Sequence, residues 1–220
     1  MVTRKKFDYE INHLKNDITN MAEVVNETVH TLENTIKHPN NNQFKQLIEH
    51  DKYINELQKN IETRCLSLLL KQQPVASDLR LVSTGLKVVT DLERIGDQCA
   101  DIAELIVSSQ REDLFTKMPH IPSMLNHTSK MVEQATIAMK NKDVELAKST
   151  RSKDKEINGL FKQCKGDIVE LIKNDENNID LYLDFLMISK YLEKIGDHVK
   201  NICEWVEFNV TGTIDDFKLV

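Results

Sequence analysis

Two short stretches of this chain carry carboxylates at a spacing that could hold a cation. The first is Asp91-Leu92-Glu93-Arg94-Ile95-Gly96-Asp97-Gln98, and it returns 100 residues later as Tyr191-Leu192-Glu193-Lys194-Ile195-Gly196-Asp197-His198. On a helix, residues four apart differ by about 40° in azimuth, so Glu93, Asp97 and Asp101 form one ridge, with Glu104 close by. Glu193, Asp197, Asn201 and Glu204 repeat it. Leu92, Ile95, Cys99 and Ile102 fall on a different face. The ridge therefore looks outward or into a groove beside a neighbouring helix. Like charges four apart cost helix stability, and a bound cation removes that cost. Oxygen-only sites suit hard ions such as magnesium, calcium, manganese or ferric iron.

A preceding helix supplies a second wall. If two helices turn near residue 75, Asp51 comes level with about position 99 and Asn55 with about position 95. A turn near residue 176 sets Asp154 and Asn158 beside the second motif in the same way. The candidate metal ligands are thus Asp51, Glu93, Asp97 and Asp101 in the first half, and Asp154, Glu193 and Asp197 in the second. Gly96 and Ala100 lie between ridge and core stripe, where small residues let a neighbour approach closely. The plainer reading is a solvated acidic face, with Lys87, Arg94, Lys194 and Lys200 as counter-charges. His198 has Gln98 as its counterpart and reads as a surface residue.

Catalysis is not expected. No Glu-x-x-His pair faces another, and there is no Gly-rich phosphate loop or nucleophile elbow. A net charge of −6 argues against nucleic acid as a partner. Hydrophobic residues make up 40% of the 220, and Leu66 to Leu70 is about the longest apolar run, far short of the ~20 residues that span a bilayer. The basic N-terminal residues have no apolar stretch after them, so no signal peptide is read and the cytoplasm is expected. Cys65, Cys99, Cys164 and Cys203 lie in helical patterns, none in a C-x-x-C spacing, and read as small buried hydrophobes rather than a zinc site.

Six glycines and four prolines suit long helices. Ile11, Leu14, Ile18, Met21, Val25, Val29, Leu32 and Ile36 predict a helix over 7–37. Phe44 to Leu69 predict a second over 43–71, ended by Pro74. Ser77 is the expected cap of a third, 78–107, whose stripe begins at Leu79. Ser123 is the expected cap of a fourth. A fifth runs from Val144 to about 173 and a sixth over 179–208, and no strand alternation is seen. The expected fold is all-α: two tandem pseudo-symmetric antiparallel three-helix bundles over 1–110 and 123–208, joined by a linker at 111–122 and followed by an irregular tail at 209–220.

The tandem L-E-[RK]-I-G-D copies resemble the PhoU family of bacterial phosphate-signalling proteins. The likeness extends to Met21-Ala22-Glu23-Val24-Val25, to Asp51-Lys52-Tyr53-Ile54-Asn55-Glu56-Leu57 and its echo Asp154-Lys155-Glu156-Ile157-Asn158, and to Gln72-Gln73-Pro74-Val75-Ala76-Ser77-Asp78-Leu79-Arg80. The resemblance implies multinuclear metal clusters held by acidic E/D-x-x-x-D pairs, iron foremost, with zinc, manganese, magnesium or calcium as alternatives. It implies a homodimeric negative regulator of phosphate-starvation signalling. Its partners would be the ATPase subunit of the phosphate ABC transporter and a sensor histidine kinase, and it would meet the membrane only through them. Asn201 stands where the first half has Asp101, and Asn55 and Asn158 stand where the family pattern has a second acid, so the number of metals per cluster is open. Two rival readings use the same residues: a metalloenzyme acting on phosphoesters, and a metal-free helical scaffold.

Overall fold

The computed structural model describes residues 2–71, 76–109, 118–214 and 217–218. Pro74 and residues 110–117, which take in the first part of the expected linker, lie outside them. The first half is α1 (Val2–Lys37), α2 (Asn41–Lys71) and α3 (Ala76–Ser109). The second is α4 (His120–Asn141), α5 (Val144–Ser152), α6 (Asp154–Asn174) and α7 (Ile179–Thr211), with one 3-10 turn at Glu176–Asn178.

The helices form because apolar residues recur at spacings of three and four. All eight residues of the α1 stripe, Ile11 to Ile36, are buried. Each large aliphatic side chain so removed from water contributes about 1.5–3 kcal/mol, and together they make the faces along which the rods pack. α1 packs on α2 and α3 and reaches α4; α4 packs on α5, α6 and α7; α3 packs along α7. One hydrophobic core therefore runs through both halves. All four cysteines are buried, and burial pushes each thiol up to about 12.

Several expectations need correction. α1 begins at Val2, before Phe7. α3 begins at Ala76, so Ser77 is inside its first turn rather than capping it, although Asp78 does sit in that first turn. Leu79 is 45% exposed and is not core; Leu81 and Val82 take that part. α4 starts three residues before Ser123, and Pro122 sits in its first turn, where the missing N–H has no helical partner to lose. The fifth helix is kinked at Lys153, where Lys153 N donates to Thr150 O and Glu156 N donates to Lys153 O in tight three-residue steps. Gln134 on α4 holds the kink, accepting from Lys153 Nζ at 2.6 Å and from Thr150 Oγ1 at 3.4 Å. The tail is not wholly irregular: α7 runs on to Thr211, Gly212 ends it at φ 78°, and β1 (Thr213–Ile214) pairs antiparallel with β2 (Phe217–Lys218). No described helix is long and apolar enough to cross a membrane.

Candidate functional site

The motif helices α3 and α7 meet each other antiparallel, and the contacts repeat under exchange of the halves. Asp91 on α3 accepts from Asn201 Nδ2 at 3.1 Å and lies 2.8 Å from His198 Nδ1. Asp91's own counterpart, Tyr191, sits in the field of Asp101 and Glu104 on α3, and burial first and those two charges next raise its phenol pKa. This is an internal pseudo-twofold interface. It also overturns one expectation: His198 is a half-buried bridge between the halves, 22% exposed, and not a surface residue.

Each motif glycine lets the middle helix in. A Cβ on Gly96 would lie 2.9 Å from Ile54 Cδ1, and one on Gly196 would lie 3.1 Å from Ile157 Cδ1 and 3.3 Å from Asp154 Oδ1. Because the glycine removes that Cβ, α2 and α6 settle against the motif helices and carry Asp51 and Asp154 to the acidic ridges. Asn55 Nδ2 then donates to Asp51 Oδ2 at 2.7 Å, and Asn158 Nδ2 donates to Asp154 Oδ2 at 2.8 Å. In both pairs the amide fixes one carboxylate oxygen. The other oxygen, Asp51 Oδ1 or Asp154 Oδ1, is buried without a hydrogen bond.

The acids singled out by spacing lie within electrostatic reach of one another in each half. Burial and the charges of Asp97 and Asp101 push Asp51 up to about 6, against the opposing pull of Asn55. Burial and Asp97 raise Glu93, which Arg94 partly offsets, and burial with Asp97 and Glu104 raises Asp101. In the second half, burial and Asp197 raise Asp154, with Lys200 and Asn158 opposing. The ridges lie in grooves rather than in open water: the Glu93 and Glu193 side chains are each 13% exposed.

These groups fit a hard cation in kind. They are carboxylate oxygens, mutually repelling, with Asp51 Oδ1, Glu93 Oε2 and Asp154 Oδ1 left without hydrogen bonds. Among the described residues, however, no three His, Cys, Asp or Glu side chains converge as a ready-made ligand group. Basic side chains lie on the ridges instead. Arg94 Nε is 3.4 Å from Glu93 Oε2, too poorly aimed to bond it, and Arg94 Nη1 is 3.3 Å from Asp97 Oδ2. Lys190 Nζ is 2.6 Å from Glu193 Oε2, and Lys194 Nζ is 2.5 Å from Asp197 Oδ2. An incoming ion would have to draw Glu93, Asp97, Glu193 and Asp197 away from these partners. Lys190 is the neighbour that spacing alone had not singled out. Its three-residue offset from Glu193 was visible in the sequence.

The fold and its duplicated grooves define a class: all-α proteins of two three-helix repeats that pair an acidic motif helix with an acidic middle helix. The family model for the PhoU domain matches residues 18–106 and again 121–206, one match to each half. The chain belongs to the PhoU family. It is 31% identical over 213 residues to the phosphate-specific transport system accessory protein PhoU homolog 1 of Thermotoga maritima, covering 96% of this chain and 92% of that protein. A Clostridium acetobutylicum PhoU homolog of the same description is 29% identical over 212 residues, with 96% and 97% covered. The crystal structure of PhoU from Pseudomonas aeruginosa superposes with a TM-score of 0.85 at 31% identity, covering 94% of this chain and all of that one.

Proposed function

We propose that this chain is an accessory regulator of a phosphate-specific transport system, working without catalysis of its own. One observation carries this reading: the family match falls once on each half and encloses both motifs, and full-length relatives are named as accessory proteins of such a system. A helical protein of this kind acts by presenting faces to other proteins. Its partners in this reading are the transporter's ATPase subunit and a sensor histidine kinase, engaged by a homodimer in the cytoplasm, at the membrane only through them. It represses phosphate-starvation signalling when phosphate is plentiful.

The reading includes metal. Asp51, Glu93, Asp97 and Asp101 would hold a hard cation in the first half, and Asp154, Glu193 and Asp197 would hold one in the second, iron foremost. The cation would supply positive charge that lets both walls of each groove close on one another. The orphaned oxygens of Asp51, Glu93 and Asp154 support this. The ion pairs of Arg94, Lys190 and Lys194 favour the metal-free scaffold as the second reading.

The test is genetic and biochemical. Removing the protein from its host should switch on phosphate-starvation reporters at high phosphate, and the purified chain should retain the transporter ATPase or the kinase. Unchanged reporter output would rule the regulatory reading out. Turnover of phosphoesters by the metal-loaded protein would replace it with the enzymatic one.

A further inference from the structure

The two grooves differ in the charges that surround the repeated acids. In the second half, Lys194 Nζ lies 2.5 Å from Asp197 Oδ2 and 3.6 Å from Glu193 Oε2, and Lys190 Nζ lies 2.6 Å from Glu193 Oε2. Lys200 acts on Asp154 from the same helix. Three ammonium groups thus face three carboxylates. Further along, Arg151 lies 3.7 Å from Glu204 and Lys148 lies 3.6 Å from Glu207.

The first half has none of these lysines. The counterpart of Lys190 is Thr90, whose hydroxyl donates to Leu86 O of its own helix. The counterpart of Lys200 is Ala100, and only Arg94, 55% exposed and at 3.3–3.4 Å, stands where Lys194 does. The first half also has a fourth acid, Asp101, where the second has Asn201, and Asn201 is already bonded to Asp91. Among the described residues one cation, Arg94, therefore faces four carboxylates; Asp51 Oδ1 and Glu93 Oε2 are buried there without hydrogen bonds, as Asp154 Oδ1 is in the second groove.

We propose that Lys190, Lys194 and Lys200 act as tethered counter-cations that weaken the second groove's hold on a divalent cation, so that the first groove fills first. This rests on the metal reading above. A divalent ion entering the second groove must displace Lys194 from Asp197 and Lys190 from Glu193, and then sit among their charges. At ~6–8 Å through partly solvated surroundings, each unit charge set against a divalent ion changes binding by roughly tenfold.

The experiment is a titration of the untagged full chain with Mn2+ alone, counting free Mn2+ by its paramagnetic resonance signal. Two variants each leave one groove intact: Glu193→Gln with Asp197→Asn keeps the first, and Glu93→Gln with Asp97→Asn keeps the second. The chain with only its first groove should bind at least about tenfold more tightly than the chain with only its second. Adding Lys190→Thr and Lys200→Ala, the first half's own residues, should tighten the second groove by at least about tenfold. Thr90→Lys, at an exposed position, should loosen the first without disturbing the core. Equal affinity of the two grooves, or no response to the lysine exchanges, overturns the proposal and leaves the metal reading standing. Absence of Mn2+ binding in every form overturns both.

Discussion

The middle helices of the two halves do the same job by different means. α2 runs unbroken past Asp51, whereas its counterpart is kinked at Lys153 and starts afresh at Asp154. Asp154 is therefore the first residue of α6, where the helix dipole favours a carboxylate, and it is 8% exposed. Asp51 sits mid-helix with no such help and with Asp97 and Asp101 against it. The repeated residues place the acids and their glycine gap; the unrepeated neighbours decide how much charge each groove is left with.

The two halves should differ most in their response to substitution of the motif glycines. Gly96→Val should destabilise by about 1–3 kcal/mol, because even a Cβ meets Ile54 at 2.9 Å and 3.1 Å and the branched methyls add to it. Gly196→Val should lose less, since its nearest atoms are the ends of Ile157 and Asp154 at 3.1 Å and 3.3 Å. Urea melts of the two variants check this, and a larger loss at Gly196 would mean that the second groove is the tighter one.

The next effect is electrostatic. Asp51 is held at about 6 against an ordinary 3.8, so the folded chain binds a proton more readily than the unfolded one. Its contribution is full below about pH 4 and is lost as the pH rises through about 6. Metal-free protein should therefore lose stability from this group between pH 4 and pH 7. Asp51→Asn should remove that slope and stabilise the metal-free protein at pH 7.5 by about 1–2 kcal/mol, discounted for partial solvent access. Asp154→Asn should gain less, because Lys200 already opposes the repulsion there. Melts in chelator at both pH values decide the matter; an Asp51→Asn chain less stable than wild type at pH 7.5 contradicts the account.

The smallest effect separates the basic partners. Lys194→Met should cost about 0.5–1 kcal/mol in metal-free protein, and Arg94→Met close to nothing, since Arg94 is 55% exposed and loosely placed. A double-mutant cycle with Asp197 and with Asp97 measures the two couplings, and equal values would erase the distinction between the halves.

Much of this was legible in the sequence because helical period and hairpin register are local. The stripe of α1, the approach of Asp51 and Asp154 to the motifs, and the need for a small residue at Gly96 all follow from spacing and turn position. What was not legible depends on contacts between distant helices. Lys153 carries no breaker residue, and its kink is held by Gln134 of α4. His198 looked like surface because its counterpart is Gln98; only the crossing of α3 and α7 brings Asp91 to it. Leu79 kept the apolar period and is nevertheless exposed. The conjunction of Lys190 with Glu193 could have been read from a three-residue offset, and Thr90 and Ala100 at the matching positions already show that the first half lacks those lysines.

Metal content is the direct test of whether the motif carboxylates hold metal. Protein purified without a metal-binding tag should carry bound metal by elemental analysis. The variant with Glu93→Gln, Asp97→Asn, Glu193→Gln and Asp197→Asn should carry close to none, and added metal should no longer raise its melting temperature. For wild type that rise corresponds to about 2.7 kcal/mol at a hundredfold excess over the dissociation constant. Equal metal content in the two proteins, whatever the amount, would contradict the account.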